Sequence, residues 1–494
     1  MIKEEEEPLV DSSDYIENSE LYNSTAYGLK KKKKENVAEK DIGIGKLLTP
    51  EEFDPIFWKY RDIPKSERFL DVEDIEQLLE NEKMLFCEED YDKRENTIKL
   101  QVVKIAFNKY FEISDEDQEV IDIFLAVLGS NRLKGDPVWL YIVGPSGYLK
   151  TTLCRSSKKV SDVYFLDTLT DKTLVSGLTK KDEKTKKDVP KAGILQHLDG
   201  KVLVIKDLSA LLSMKDYKRD SVLSQLRNAY DGYYDAAFGT LPEPIRLKAE
   251  FGFIGAVTPI IDRHTKAMVT LGPRCLIVRT KNPPRQESAK MARKNKRVTQ
   301  EIRERIQDLV RDFIDDVNFN RRIEISEEMG DRIDALADYT AYMRTYVMAD
   351  YYGGNIVEYT LPSPEVPTRL SIQLSKLGEA IALIRGHNEI TEEDYATLMR
   401  VAKDTAIPEY QHVMNYYLDE GNANKRHDVN EISSYINLTY KTTRNKLELM
   451  RIIGILDNIG GEHIPSDEFT EILFKAKFVS RPEETNSNDG EAQK

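Results

Sequence analysis

The chain of 494 residues is 40% hydrophobic and 32% charged, enough for about three domains and a sizeable enzyme, and its net charge of −14 excludes a surface coated with nonspecific phosphate contacts. No apolar run approaches the ~18 residues that span a bilayer and no apolar signal core lies near the N-terminus, so a cytoplasmic protein with no membrane partner is expected. The three cysteines (Cys87, Cys154, Cys275) and six histidines are scattered, which excludes a disulfide framework and a zinc module.

Residues 1–47 pass from acidic to polar to the lysine run Lys30 to Lys34 and read as a disordered leader. From 48 to 130 apolar positions recur at helical spacing, as in Asp74 to Leu79 and Val120 to Leu125, which predicts a mainly helical N-terminal region. Between 131 and 282 four short runs rich in Val, Ile and Tyr (138–143, 201–205, 251–257, 274–279) alternate with helical stretches. That alternation predicts a parallel sheet flanked by helices and marks the catalytic candidate. Residues 283–415 are basic, then amphipathic and helical. A smaller unit follows at 420–479, and 480–494 reads as a disordered polar tail.

The first run leads directly into Gly144-Pro145-Ser146-Gly147-Tyr148-Leu149-Lys150-Thr151-Thr152 and then into a helix-compatible segment. A phosphate-binding loop needs inward backbone N–H groups, a lysine against the β/γ charge and a hydroxyl on magnesium. Gly144, Gly147, Lys150 and Thr151 supply those parts, with Leu149 where a glycine is usual; Pro145, Ser146 and Thr152 complete the expected ATP cradle. The second run ends at Lys206-Asp207, an acid where such ATPases hold magnesium or orient water. No Asp-Glu pair is present. If Asp207 serves magnesium, with Thr151, then Leu208 stands where the base belongs; if Asp207 is the base, Lys206 stands in the magnesium position.

The order of segments from about Asp117 to Asp404 resembles the AAA+ module of minichromosome-maintenance replicative helicases, in a divergent form such as a mobile element or virus would carry. The resemblance rests on Gly177-Leu178-Thr179, Lys191 to Leu195 and Asp199-Gly200 before the acidic strand; on Ala256-Val257-Thr258-Pro259 with Asp262-Arg263-His264; on Gly272-Pro273-Arg274-Cys275-Leu276; and on Pro367-Thr368-Arg369-Leu370. It implies Thr258 as the sensor 1 residue holding the attacking water, Arg274 as an arginine finger acting in a neighbour's site, and Arg369 as the sensor 2 arginine of a helical lid. It also favours Asp207 as the water-orienting acid. The implied architecture is an α/β P-loop AAA+ module with a helical N-terminal region, a helical lid and a C-terminal winged helix, assembled as a homo-hexamer or other ring and using ATP and Mg2+. The family's N-terminal barrel and zinc finger have no counterpart here.

The resemblance places the loop Lys180-Lys181-Asp182-Glu183-Lys184-Thr185-Lys186-Lys187 in a central channel, and a hairpin with Arg246 and Lys248 ahead of sensor 1. Those lysines would touch phosphates without reading sequence. Residues 429–456 read as helix, turn, helix and strand and look like a winged helix, with Thr442, Thr443, Arg444 and Lys446 expected on or near the exposed face and Leu447 and Met450 inward. The resulting expectation is an ATP-dependent DNA helicase, translocase or replication initiator acting on single-stranded DNA. Two alternatives are a nucleotide-switched DNA-binding regulator with little hydrolysis, which the missing Asp-Glu pair favours, and a protein-remodelling machine.

Overall fold

The computed structural model describes residues 91–481 except 112, 171–172, 176–178, 182–187, 191–192, 238–243, 265–273, 282–284, 298, 354 and 420–421. The expectations for the leader, residues 48–90, the C-terminal tail, Gly177, Leu178, Lys184, Lys186, Lys187, Lys191, Ala192, Gly272 and Pro273 fall outside the described residues. The described residues from Asp92 onward form one compact unit. No described helix is long and apolar enough to cross a membrane.

Two helices open the described chain, α1 (Tyr91–Tyr110) and α2 (Asp115–Ser130), the second capped by Ser114, whose hydroxyl accepts from the Asp117 amide. The core follows as β1 (Trp139–Val143), α3 (Lys150–Ser156), β2 (Val163–Leu166), the hairpin strands β3 (Thr179–Lys181) and β4 (Asp188–Pro190), β5 (Val202–Ile205), α4 (Ser209–Leu212) and α5 (Asp216–Tyr230). A second hairpin, β6 (Tyr233–Ala236) and β7 (Ile245–Lys248), precedes β8 (Gly252–Val257) and β9 (Cys275–Arg279). β1, β5 and β8 are buried along their whole length, which is why they read as unbroken apolar runs instead of alternating ones. The five strands pair in the order β2-β5-β8-β1-β9, all parallel. The sequence did not mark β2, which is only half-buried and lies at one edge of the sheet.

After the sheet come α6 (Arg285–Lys294), α7 (Thr299–Asp316) and α8 (Glu327–Met343), then a hairpin of β10 (Ala349–Tyr352) and β11 (Asn355–Tyr359), then α9 (Thr368–Arg385), α10 (Glu392–Thr405) and α11 (Pro408–Leu418). Leu374, Leu377, Ala380 and Ile381 form the buried stripe of α9, as their helical spacing predicts. The chain ends in α12 (Val429–Ile436), α13 (Tyr440–Ile453), the hairpin β12 (Leu456–Ile459) and β13 (Glu462–Pro465), and α14 (Asp467–Lys475). The β10–β11 hairpin interrupts a stretch expected to be helical throughout.

Candidate nucleotide site

The loop after β1 leads across the sheet to the β2 edge, while the chain leaving β8 steps over β1 to β9. Open parallel sheets bind ligands at such a reversal, beyond the carboxyl ends of the strands. Three of the candidate segments meet there. Val143 is level with Val257 and Ile205 with Gly255, so the Gly144 loop, Thr258 and Asp207 emerge side by side from adjacent strands.

The loop is seated by its glycines. Gly144 donates to the Val257 carbonyl at 3.2 Å, and a Cβ on it would stand 1.9 Å from the Thr280 hydroxyl, so only glycine fits. Gly147 has φ +81°, the left-handed region that glycine occupies without strain. Leu149, by contrast, has negative φ as it enters α3, which explains why no glycine is required before the lysine. Its side chain is buried.

Lys150 is buried, and its ammonium donates to the carbonyls of Gly144 at 2.7 Å and Pro145 at 2.5 Å. Burial lowers its pKa, and the charge of Asp207 partly offsets that. A buried cation whose partners are neutral carbonyls suits a polyanion, which would supply the charge those carbonyls lack. Ser146 and Thr151 are exposed beside it.

At the end of β5 the three successive side chains part. Lys206 pairs with Asp167 at 2.6 Å, Leu208 is buried, and Asp207 is exposed on the site edge. The Asp207 carboxylate accepts from the Ser209 amide at 2.8 Å, and the Ser209 hydroxyl lies 3.3 Å from that of Thr258. Neither neighbour can act as the expected second acid, Leu208 because it has no polar group and Lys206 because its charge is positive and already committed. Asp167, after β2, carries no sequence signal, because β2 itself is neither a clean apolar run nor an alternation. Among the described residues no group of three or more His, Cys, Asp and Glu side chains could hold a metal by itself.

Arg274 and Arg369 lie elsewhere. Arg274 precedes β9, whose first residue pairs with the first residue of β1, so it sits at the amino edge of the sheet, opposite the Gly144 loop. Both guanidinium carbons stand 5.5 Å from the centroid of the Tyr230 ring. That ring meets Trp139 edge-on at 5.1 Å, and its hydroxyl accepts from Gln373 at 2.9 Å and donates to the Pro137 carbonyl at 3.3 Å. Gln373 also donates to the Arg274 carbonyl at 2.8 Å. Burial and the charges of Arg369 and Arg227 lower the pKa of Arg274, and Asp231, 3.7 Å from its guanidinium, partly offsets them. Sequence reading found the arginines and missed Tyr230 and Gln373, which are distant in sequence.

The remaining candidates are dispersed. Lys180 and Lys181 lie on β3, which pairs antiparallel with β4. Arg246 is exposed on β7, and Lys248 reaches Asp199 at 3.6 Å. Two expectations for α13 are corrected. Thr443 is fully buried, because it shares the stripe of Leu447 and Met450 one and two turns on, and Lys446 is half-buried toward Glu409 at 3.9 Å, where burial lowers its pKa. Arg444 is exposed but donates to Asn355 at 2.8 Å.

The five-stranded parallel sheet flanked by helices, with a glycine loop leaving its fourth strand, fits the α/β P-loop ATPase fold. No protein-family model matches the chain, and no curated protein matches it. A solved structure from Cytophaga hutchinsonii, described as a candidate ATPase, is similar at 13% identity and TM-score 0.38 over 66% of this chain and 90% of that one.

Proposed function

We propose that the chain is an ATP-hydrolysing DNA translocase or helicase of the AAA+ class, with its sites shared between neighbouring subunits of a ring. The observation that carries the reading is the division of parts between the two edges of the sheet. The phosphate cradle, Asp207 and Thr258 stand at the carboxyl edge, and the two arginines stand on Tyr230 at the amino edge. An arginine that offsets transition-state charge must reach the transferred phosphate, so Arg274 can serve only another copy's site. A head-to-tail contact of that kind gives a ring when its rotation closes, which is the assembly proposed here.

In this reading the backbone amides from 146 to 150, Lys150 and the Ser146 hydroxyl hold the β- and γ-phosphates. Thr151 would hold magnesium together with those phosphates, consistent with a site that offers few carboxylates. The metal, when bound, neutralises developing charge on the phosphates. Asp207, fixed by the Ser209 amide, and Thr258 beside it orient the attacking water. The helices from 283 to 415 serve as the lid, 420–479 as a winged helix, and the two core hairpins carry Lys180, Lys181, Arg246 and Lys248 towards DNA.

Hydrolysis by the full chain, measured with and without single-stranded DNA, tests the reading. Turnover that DNA stimulates and that Lys150→Ala abolishes is expected. ATP binding with no turnover would instead leave a nucleotide-switched DNA-binding regulator, the reading favoured by the absence of a second acid beside Asp207.

Tyr230 is a positioning residue in this scheme, since it holds both arginines without touching nucleotide. A cation–π contact contributes about 1–2 kcal/mol per arginine when partly desolvated, so Tyr230→Leu should lower kcat about 5- to 30-fold for each arginine it loosens. ATP affinity should be unchanged, because Tyr230 lies at the far edge of the subunit's own sheet. Tyr230→Phe keeps the ring and should turn over at near the parent rate. Equal losses in Leu and Phe variants would remove the ring from this role.

A further inference from the structure

Most of the large apolar side chains exposed among the described residues fall in two places, the stretch 346–366 and the α12–β13 region. A concentration of that kind marks an interaction surface. The two places touch. The Lys441 ammonium donates to the Gly353 carbonyl, and Arg444 donates to the Asn355 side chain at 2.8 Å, so the tip of the β10–β11 hairpin lies against the first turns of α13.

That contact bears on what α13 can read. The major groove, about 12 Å wide, admits one helix or one two-stranded ribbon, not a helix with a hairpin laid on it. At the junction Tyr352 is 81% exposed and Tyr440 50%, each next in sequence to a residue of the bonded pair Gly353 and Lys441. Exposed rings alternating with cations suit unpaired bases, which stack on the rings while their phosphates meet the charges. Asp350 and Glu358 face each other on the strands away from the tip, so the local charge turns from negative to positive toward α13.

We propose that the β10–β11 tip and the first turns of α13 form one surface for single-stranded nucleic acid, with Tyr352 and Tyr440 as stacking platforms and Lys441 and Arg444 on phosphates. It rests on the DNA partner of the proposed function and not on its ATP chemistry.

Fluorescence anisotropy with a labelled oligothymidylate of about 16 nucleotides, and with a duplex of equal length, tests it on the full chain. The single strand should bind more tightly than the duplex. Tyr352→Ala and Tyr440→Ala should each weaken that binding about 5- to 150-fold, the range for loss of one stacked base. Tyr352→Phe should bind like the parent and Tyr352→Leu like the alanine variant. Lys441→Gln should reduce the slope of log affinity against log salt by about 0.7.

Tighter duplex binding, or unchanged binding in both alanine variants, would overturn the proposal. So would a changed oligomeric state in Tyr352→Ala with oligonucleotide binding intact, which would assign the surface to a second copy of the chain. ATP turnover in the same samples separates the two readings. Turnover without oligonucleotide binding leaves the nucleotide site and removes this surface; oligonucleotide binding without turnover keeps this surface and removes the hydrolytic motor.

Discussion

Lys150→Ala and Arg274→Ala proteins, each inactive alone, should recover ATP hydrolysis when mixed and allowed to exchange subunits. The expectation follows from strand register. β1 and β9 run parallel with Trp139 level with Cys275, and the loop that holds Lys150 begins after the fifth residue of β1. At about 3.3 Å per residue the two candidates are separated by roughly 16 Å along the strands, beyond the reach of an arginine side chain within one subunit. A ring of one variant lacks either every cradle lysine or every finger. In a random mixed ring, about one site in four joins an intact cradle to an intact finger, because each contact is heterologous and the two parts come from different copies. Loss of the finger alone should cost about 10³- to 10⁵-fold in turnover. Recovery to about a quarter of parent turnover is therefore a large signal over a low background. Full activity of Arg274→Ala by itself would show that no finger is needed there. Two inactive variants that exchange subunits without recovery would place the lysine and the arginine in the same site, against the register.

How much of this was legible in the sequence depended on whether a signal was local. β1, β5 and β8 were legible because strands packed within a sheet leave continuous apolar runs, and β9, an edge strand, because Cys275, Leu276 and Val278 are still buried. β2 was not, since its half-buried Val163 to Leu166 carries neither a clean run nor an alternation. The β10–β11 hairpin escaped because its tyrosines and glycines lie between two strong helices and its exposed side chains leave no buried period. The nucleotide loop could be read because its residues are contiguous, whereas the environment of Arg369 could not, since Tyr230 lies far away in sequence and reaches it only in the fold. Thr443 was misplaced although the signal was present. It stands four residues before Leu447 and seven before Met450, the spacing of one buried stripe.

Asp207→Asn should lower kcat about 10²- to 10⁴-fold, the span usual for loss of a group that orients or deprotonates an attacking water. The magnesium concentration giving half-maximal activity should stay at the parent value. The magnesium requirement distinguishes a water-orienting carboxylate from a metal-holding one. A carboxylate that held the metal, even through a water shell, would on becoming an amide raise the magnesium requirement, and excess metal would restore part of the rate. The geometry favours the water. One Asp207 oxygen is taken by the Ser209 amide, which fixes the carboxylate, and Ser209 in turn stands against Thr258, the hydroxyl on the neighbouring strand end. Leu208 and Lys206 offer no replacement carboxylate, so no partner on the same strand can mask the loss. Asp167 on the adjoining strand end is held by Lys206 and serves as the control. Asp167→Asn should leave kcat within a few-fold of the parent if it only balances that lysine, since an exposed ion pair contributes about 0–1 kcal/mol. A collapse of turnover in Asp167→Asn with a raised magnesium requirement would instead identify it as the metal-bearing acid that the segment after β5 lacks.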